Sequence, residues 1–437
     1  MDSNIQLNNT NDQEHQANLA ISELISNIIL LKERNDPLIR VVKSPNLLIR
    51  ALKDLQSMIE MVEIKYSIIN QIKFLITNHC RTEGKNTSKF EDHMLHSVIV
   101  GNPGTGKTTI GKILAKIWAA LGFVKTNEID ETKSKYLIDK YQQGFSNIKD
   151  LLLYHYNILM NIKQHLIKVK NKRSYNKLNL QKELEIILSY VTDLKSSFNQ
   201  TMTEIVKNQN MLKVNKEVSD PYEFCDPKII IASREDLVAE YLGQTAPKTK
   251  KLLEKAKGGV LFIDEAYSLY TDEGDKYGEE CLTTINEFMS LYPNEIVIIF
   301  SGYKEKLLKT IFKVQPGLQR RCTWFFEIKD YSFKGLAKML IQKLKQNLWD
   351  VDESIDISKI LEENKDVIKF AGGSIETLCF FIKIEYSKKK FSEAINSGSV
   401  SDNLITEEII RSAINELRNQ QSRTESNNSK IPFGMYV

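Results

Sequence analysis

His96-Ser97-Val98-Ile99-Val100-Gly101-Asn102-Pro103-Gly104-Thr105-Gly106-Lys107-Thr108-Thr109 is the stretch that decides the fold. An apolar strand ending at Val100 runs directly into GxxxxGK[ST], and an apolar-periodic helix continues to about Leu121. In that strand, loop and helix setting the residue types share one chemistry. Glycines let backbone amides approach phosphate groups, and the N-terminus of the following helix favours their negative charge. Lys107 reaches the β and γ oxygens, and the Thr108 hydroxyl ligates Mg²⁺. Gly101 through Thr109 is therefore the candidate binding site for ATP with Mg²⁺. The bland rival, a Gly-rich turn with a stray lysine, is improbable in this setting.

Working outward, four further runs read as partner strands. Lys228-Ile229-Ile230-Ile231-Ala232 is the second strand, and Gly259-Val260-Leu261-Phe262-Ile263 is the third, ending in Asp264-Glu265. An apolar strand ending in acids is common by itself, but paired with a phosphate loop it forms the other half of the nucleotide site. Asp264 is expected to hold the Mg²⁺ water shell, and Glu265 to orient and deprotonate the attacking water. The fourth strand is Glu295 to Phe300, and the polar residue at its end, Ser301, is the candidate for positioning that water. Gln315-Pro316-Gly317-Leu318-Gln319-Arg320-Arg321 precedes a fifth strand, Thr323 to Ile328. Paired arginines in such a turn are usually solvated or ion-paired, yet at an ATPase subunit boundary they can reach a neighbour's γ-phosphate.

The pattern changes between about Asp130 and Pro221. Phe145, Ile148, Leu152, Leu159, Ile162, Leu166 and Val169 follow steps of three and four, then Leu184, Ile187, Val191, Leu194, Phe198 and Ile205 do the same after a polar turn. Two such seams predict an antiparallel coiled-coil hairpin inserted in the core. Glu131 to Asp220 holds 15 Lys+Arg and 9 Asp+Glu, so the insert is +6 and the rest of the chain near −2. A positive face suits an acidic partner or nucleic acid, but no aromatics interleave with the lysines as a single-strand binding face prefers. Solvated helix surface is the favoured reading.

The remaining segments frame these motifs. Residues 1 to about 15 lack apolar periodicity and are expected to stay disordered. Helical spacing follows from Ala20 to Leu31, Pro45 to Met61 and Val62 to Asn78. After Tyr331 the spacing is helical near Phe333 to Leu348, Ile357 to Asn364, Ser374 to Ser392 and Thr406 to Arg418. The domain reading is a polar tail and N-terminal helix over 1–44, a P-loop ATPase core over 45–330 with the insertion at 130–221, a helical lid over 331–418 and a flexible tail over 419–437.

Length and composition narrow the class. A chain of 437 residues supports two or three modules, so a small disulfide scaffold is excluded. The net charge of +4 singles out no partner. No apolar run spans a membrane and the first fifteen residues lack an apolar signal core, so a cytoplasmic protein without membrane contact is expected. Five scattered cysteines without CxxC spacing read as reduced thiols, and no structural metal is expected. His93 and His96 have ligand-like spacing but no third ligand nearby, and read as ordinary polar residues.

The phosphate loop GNPGTGKTT, the segment SREDLVAEYLGQTAPKTKKLLEKAKGGVLFIDEAYSLY, IIFSGY and QPGLQRR together resemble AAA+ ATPases. The resemblance is narrower toward the CbbX/CfxQ branch, which is similar to SpoVK and includes red-type Rubisco activases. It covers about Asn46 to Leu121 and Asp226 to Leu417. It implies a three-layer α/β sandwich with a parallel sheet and a C-terminal helical lid, assembled as a hexameric homo-oligomer. It also implies that Tyr241, Leu242 and Gly243 form a pore loop gripping an unknown protein substrate, and that Arg321 with Arg320 forms an arginine finger supplied in trans. The family's lid arginine has no counterpart in Phe370 to Leu378, so either the lid responds more weakly to ATP or a lysine such as Lys383 substitutes. The leading expectation is an ATP-driven remodelling motor. Its rivals are a nucleic-acid motor using the basic insert and a nucleotide-gated scaffold with little turnover.

Overall fold

The computed structural model describes residues 2–82, 95–127, 225–241, 243–369, 371–397 and 404–428, with eight isolated helical positions between 159 and 191. Two compact units result, one of Met1–Thr126 with Asp226–Val437 and one of Asn127–Cys225.

The first unit is built on five strands: β1 (Ser97–Gly101), β2 (Ile229–Ala232), β3 (Val260–Ile263), β4 (Val297–Gly302) and β5 (Trp324–Ile328). Their order is β2-β3-β4-β1-β5, and every neighbouring pair is parallel. The unbroken apolar runs of β1, β3 and β4 fit this arrangement, because a parallel sheet is covered on both faces. Alternate side chains serve the two faces. Ile99, Phe262 and Ile299 join one apolar cluster, while Val98, Val100, Ile263 and Ile298 join the other.

On the first face lie α1 (Asp2–Glu33), α2 (Pro37–Arg40), α3 (Pro45–Ser57), α4 (Val62–Thr82) and α5 (Lys107–Ala120). Ser44 caps α3 by accepting from Leu47 N at 3.2 Å, with Pro45 at the first helical position, where a missing N–H costs nothing. Gly111 of α5 is a close-approach glycine: a Cβ there would sit 2.4 Å from the Phe262 ring, so its absence lets α5 lie on β3.

The second face carries α6 (Arg234–Leu237), α7 (Thr245–Ala256), α8 (Lys276–Leu291), α9 (Lys304–Lys309), α10 (Ile311–Val314) and α11 (Pro316–Arg321). The lid follows, with α12 (Phe333–Gln346), β6 (Asp350–Val351), α13 (Ile357–Glu363), α14 (Ala371–Ser397), β7 (Leu404–Ile405) and α15 (Glu407–Asn428). It has its own core around Leu340, Leu361, Ile382 and Ile410, and a short parallel β6–β7 pair.

Several boundaries differ from the sequence reading. Residues 2–15 are helical rather than disordered, and Glu14 and Asn18 of α1 find partners across the fold. Glu14 accepts from Glu60 N and Lys338 Nζ, both at 2.7 Å, and Asn18 Oδ1 accepts from the buried Lys65 at 2.8 Å. The helix expected to reach Met61 stops at Ser57, since Glu60 and Met61 take positive φ. At the other end α15 continues past Arg418 to Asn428, where a flexible tail was expected to begin at 419. Residues 429–437 lie outside the described residues.

Of the expected hairpin at 130–221, the eight described positions are all helical. Ile162 is half-buried, whereas Leu159 and Val191 are 52% and 45% exposed. The other seam residues, and with them the pairing of the two arms, lie outside the described residues. No helix among the described residues is long and apolar enough to cross a membrane.

Candidate nucleotide site

Parallel register brings the site together. Ile263 of β3 pairs with Phe300 of β4, so Asp264 and Ser301 emerge side by side one residue later. The Ser301 hydroxyl, fully buried, donates to Asp264 Oδ1 at 3.1 Å, and that oxygen also accepts from Glu265 N at 3.0 Å. Ser301 thus directs its hydroxyl at the Asp264 carboxylate. β1 lies on the other side of β4 and delivers the phosphate loop to the same edge, where open α/β sheets bind ligands.

The loop is shaped by its own contacts. Gly106 takes φ +96° at the N-cap of α5, a left-handed conformation that a side chain would strain. A Cβ on Gly101 would lie 2.8 Å from Ile328 O, so this strand end must also be glycine. Thr105 Oγ1 donates to Asn102 O at 2.8 Å, and Asn102 Nδ2 donates to both Asp330 carboxylate oxygens at 2.8 and 2.9 Å. Tyr331 Oη donates to Thr105 O at 3.0 Å, with its phenol pushed up to about 12 by burial. Lys107 Nζ donates to Gly101 O and Asn102 O at 2.9 and 2.8 Å. Burial pulls its ammonium below the ordinary lysine range, while Asp264 and Glu265 act in the opposite direction.

Gly104, Gly106, Lys107, Thr108, Asp264 and Glu265 line a cavity of about 680 Å³ together with parts of the chain that the motifs did not flag. Ser57, Met58 and Ile59 come from the end of α3 and the turn after it, Tyr267 and Tyr303 from beyond β3 and β4, and Lys343, Gly372 and Glu376 from the lid. Gly372 N donates to Gly104 O at 3.2 Å, joining α14 to the phosphate loop. The lid cation at the cavity is Lys343, paired with Glu376 at 2.5 Å, whereas Lys383 does not line it. Only the absent arginine near Gly372 signalled that a lid cation should be sought. Nothing in the sequence put Lys343 and Glu376, 33 residues apart, beside the phosphate loop.

The arginine pair splits. Arg321 Nη1 donates to Asn286 Oδ1 at 2.8 Å and Gly317 O at 2.9 Å, and its Nη2 donates to Ser290 Oγ at 2.5 Å. It is spent on its own α8. Arg320 is exposed and has no hydrogen bond or ion pair with any described residue. Tyr241 is 66% exposed rather than packed beneath its loop, and Gly243 takes φ +78°. Leu242 lies outside the described residues. The base of that loop is pinned by α7, through Thr249 Oγ1 to Leu237 O and Lys248 Nζ to Val238 O, each at 2.8 Å.

Comparison with known proteins agrees with this geometry. The model of the ATPase family associated with various cellular activities (AAA) matches residues 97–328, more than half of the chain. This chain belongs to the AAA family. Within it the chain is similar to the CfxQ/CbxX proteins. It is 31% identical over 202 residues to the CfxQ homologue of Galdieria sulphuraria, a match covering 46% of this chain and 55% of that one. It is 36% identical over 126 residues to chromosomal CbxX of Cupriavidus necator, covering 29% and 39%. It is 37% identical over 126 residues to the chloroplastic ribulose bisphosphate carboxylase/oxygenase activase of Cyanidioschyzon merolae, covering 28% and 41%. The chain spans about half the length, or less, of these curated relatives. As an AAA protein it uses the P-loop α/β fold described above.

Proposed function

We propose that this AAA protein hydrolyses ATP between the subunits of a homo-oligomeric, family-typical hexameric ring and uses the cycle to remodel a protein partner. The observation that supports the reading best is the convergence of the phosphate loop, Asp264, Glu265 and the lid on one cavity. Its volume of about 680 Å³ lies within the ordinary range for ligand pockets. The glycine cradle fits phosphate groups, and a hydroxyl with an ordered carboxylate fits a hard divalent cation, so Thr108 and Asp264 would hold Mg²⁺. That ion, when bound, neutralises charge on the phosphates.

The rest of the chemistry belongs to side chains. Lys107, whose ammonium the carbonyls of Gly101 and Asn102 hold at the loop, meets the β and γ oxygens there. Ser301 fixes Asp264, and Glu265 orients the attacking water and takes its proton. Arg320, without a hydrogen bond or ion pair to any described residue, is the better placed of the two arginines for a neighbour's γ-phosphate; Arg321 supports α11 behind it. Tyr241, exposed on a loop whose base is fixed, would carry the motion of the cycle to a polypeptide.

Glu265→Gln is the decisive test. It should retain ATP binding, cut turnover by about 10²- to 10⁴-fold, and trap an assembled ring by light scattering. Wild-type specific activity should rise with protein concentration. Concentration-independent turnover by a monomer, or wild-type turnover in Glu265→Gln, would sink the proposal. The +6 charge of the insert supports a second reading, a nucleic-acid motor. Steeply salt-dependent DNA or RNA binding that disappears on deleting 131–220 would favour it.

A further inference from the structure

The residues that join the sheet to the lid are each bonded back to the core. Lys329 to Ser332 run from the end of β5 to the start of α12. The outer two hold the region where α4 begins: Lys329 Nζ pairs with Glu63 at 2.6 Å, and Ser332 N donates to Glu60 Oε2 at 3.2 Å. The inner two hold the phosphate loop. Asp330 accepts from Asn102 Nδ2 through both carboxylate oxygens, at 2.9 and 2.8 Å, and the Tyr331 hydroxyl donates to Thr105 O at 3.0 Å. The two anchored loop residues are themselves joined, Thr105 Oγ1 donating to Asn102 O at 2.8 Å.

The bond to Thr105 decides how one peptide of the loop faces. Thr105 is fully buried, so water does not reach its carbonyl. The helix does not serve it either, because the bond that opens α5 runs from Ile110 N to Gly106 O at 3.0 Å. Among the described residues the Tyr331 hydroxyl is the donor to Thr105 O, and no other is present. A buried carbonyl left without a donor is costly, so the hydroxyl fixes the orientation of the peptide. That peptide is trans, which places the N–H of Gly106 on the edge opposite the carbonyl. Gly106 lines the cavity, and its N–H donates to no described residue.

Tyr331 is well held for this task. Its ring packs against the apolar core of the lid. A Cβ on Gly106 would lie 3.4 Å from the methyl carbons of Met58 and Met61 and 3.6 Å from Tyr331 Oη, so the hinge and the turn after α3 close on the same point of the loop. Burial first, then the charge of Glu60, pushes the phenol up to about 12, and the hydroxyl keeps its proton to donate.

We propose that the hinge residues Tyr331 and Asp330 are positioning residues for nucleotide binding: Tyr331 holds the Thr105 carbonyl so that Gly106 N–H stays turned to a phosphate oxygen, and Asp330 anchors the loop at Asn102. The inference rests on the ATPase reading above and adds to it a support for the phosphate cradle from outside the loop. Support of a cradle that meets phosphate in ground state and transition state alike shows itself in affinity more than in the chemical step.

The test is Tyr331→Phe in the full chain, which keeps the ring and removes only the donor. A fluorescent ATP analogue is titrated, then displaced by ATP, ADP and adenosine. Kd for ATP and for ADP should rise about three- to tenfold, the effect of one hydrogen bond to a buried carbonyl. Adenosine, which brings no phosphate to the loop, should weaken by less than about twofold. KM for ATP should rise in step while kcat stays within about twofold. Asn102→Ala, which breaks the neighbouring anchor, should weaken ATP about two- to threefold and spare adenosine. In the Asp330→Ala background the same substitution should add less than about twofold, because Asn102 acts through Asp330; this pair decides the matter if Tyr331→Phe does not fold. ATP affinity unchanged in Tyr331→Phe overturns the proposal. Equal weakening of adenosine overturns it too, since that is the signature of a residue that packs the whole cavity. Wild-type turnover in Glu265→Gln would sink the ATPase reading without touching these affinities, so the two failures are told apart.

Discussion

The cavity has a core half and a lid half, and they are built differently. On the core side Gly101 to Thr109, Asp264, Glu265 and Ser301 hang from the ends of adjacent parallel strands, so backbone ladders set their spacing. On the lid side Lys343 and Glu376 come from two helices with a separate apolar core, joined to the phosphate loop by the bond from Gly372 N to Gly104 O. A half fixed by a sheet can hold phosphate in one geometry. A half resting on few polar contacts can shift when a ligand adds more, at small cost. On the proposed function, this contrast leads us to expect binding and chemistry in the core and a response to what is bound in the lid.

The largest expected effect concerns Arg320, proposed above to act on a neighbouring subunit's nucleotide. Arg320→Ala should leave nucleotide affinity intact and lower turnover by about 10³-fold, the lower end for an arginine supplied to a phosphoryl-transfer site. Arg321→Ala should instead lower thermal stability, since it strips three bonds from α11 and α8. Steady-state kinetics beside thermal unfolding checks both, and the reverse assignment would return Arg321 to the trans role. Next in size is Lys107→Ala, which should weaken ATP binding at least about 100-fold by loss of a charge-assisted phosphate contact; tight binding of a fluorescent ATP analogue would break the core half of the comparison.

How legible each half was in the sequence follows from the same physics. The phosphate loop, Asp264 and Glu265 could be read directly because each motif is local: the chemistry sits within nine residues or at one strand end. The five strands followed from apolar runs rich in Val, Ile and Phe, whereas the three-layer sandwich came with the family resemblance. Lys343, Glu376, Met58 and Tyr267 could not be read so, because what brings them to the cavity is packing between elements far apart in the chain. The resemblance put Arg321 first with Arg320 beside it, and the bonds of Arg321 to Asn286, Gly317 and Ser290 are what separate them. The helix over residues 2–15 was missed because its anchors, Glu60 and Lys338, lie 46 and 324 residues from Glu14.

An ion pair in each half extends the contrast to smaller energies. In the core, Asp275 is bonded to Arg234, Thr271 and Gly278, and its side chain is 7% exposed. Against its own burial, the Arg234 bond and the backbone donors hold its carboxyl down at about 2, below the ordinary 3.8. A depressed carboxylate stabilises the fold above the unfolded-state value, and the contribution drains away as pH falls from about 4 toward 2. Asp275→Asn should therefore cost roughly 2 kcal/mol at neutral pH, with the gap to wild type closing across that acid window in urea unfolding. A gap that did not change with pH would mean packing, not charge, holds the turn that carries Tyr267.

The lid pair should behave otherwise. Lys343 and Glu376 are 32% and 67% exposed, so solvent screens them and their contribution to stability is about 0–1 kcal/mol. Their proximity to the phosphate loop gives them a different use. Glu376 holds the Lys343 ammonium at the cavity wall, and a triphosphate placed in the cavity competes for it. Lys343→Ala should leave stability nearly unchanged and weaken ATP about threefold, while ADP, with one phosphate fewer for the cation to meet, should be weakened less. Glu376→Gln, which frees the lysine, should tighten ATP slightly. Titrations of both nucleotides at two salt concentrations would read this out. Equal losses for ATP and ADP would show that Lys343 braces the lid without distinguishing the nucleotides, and the lid would then report only that the cavity is filled.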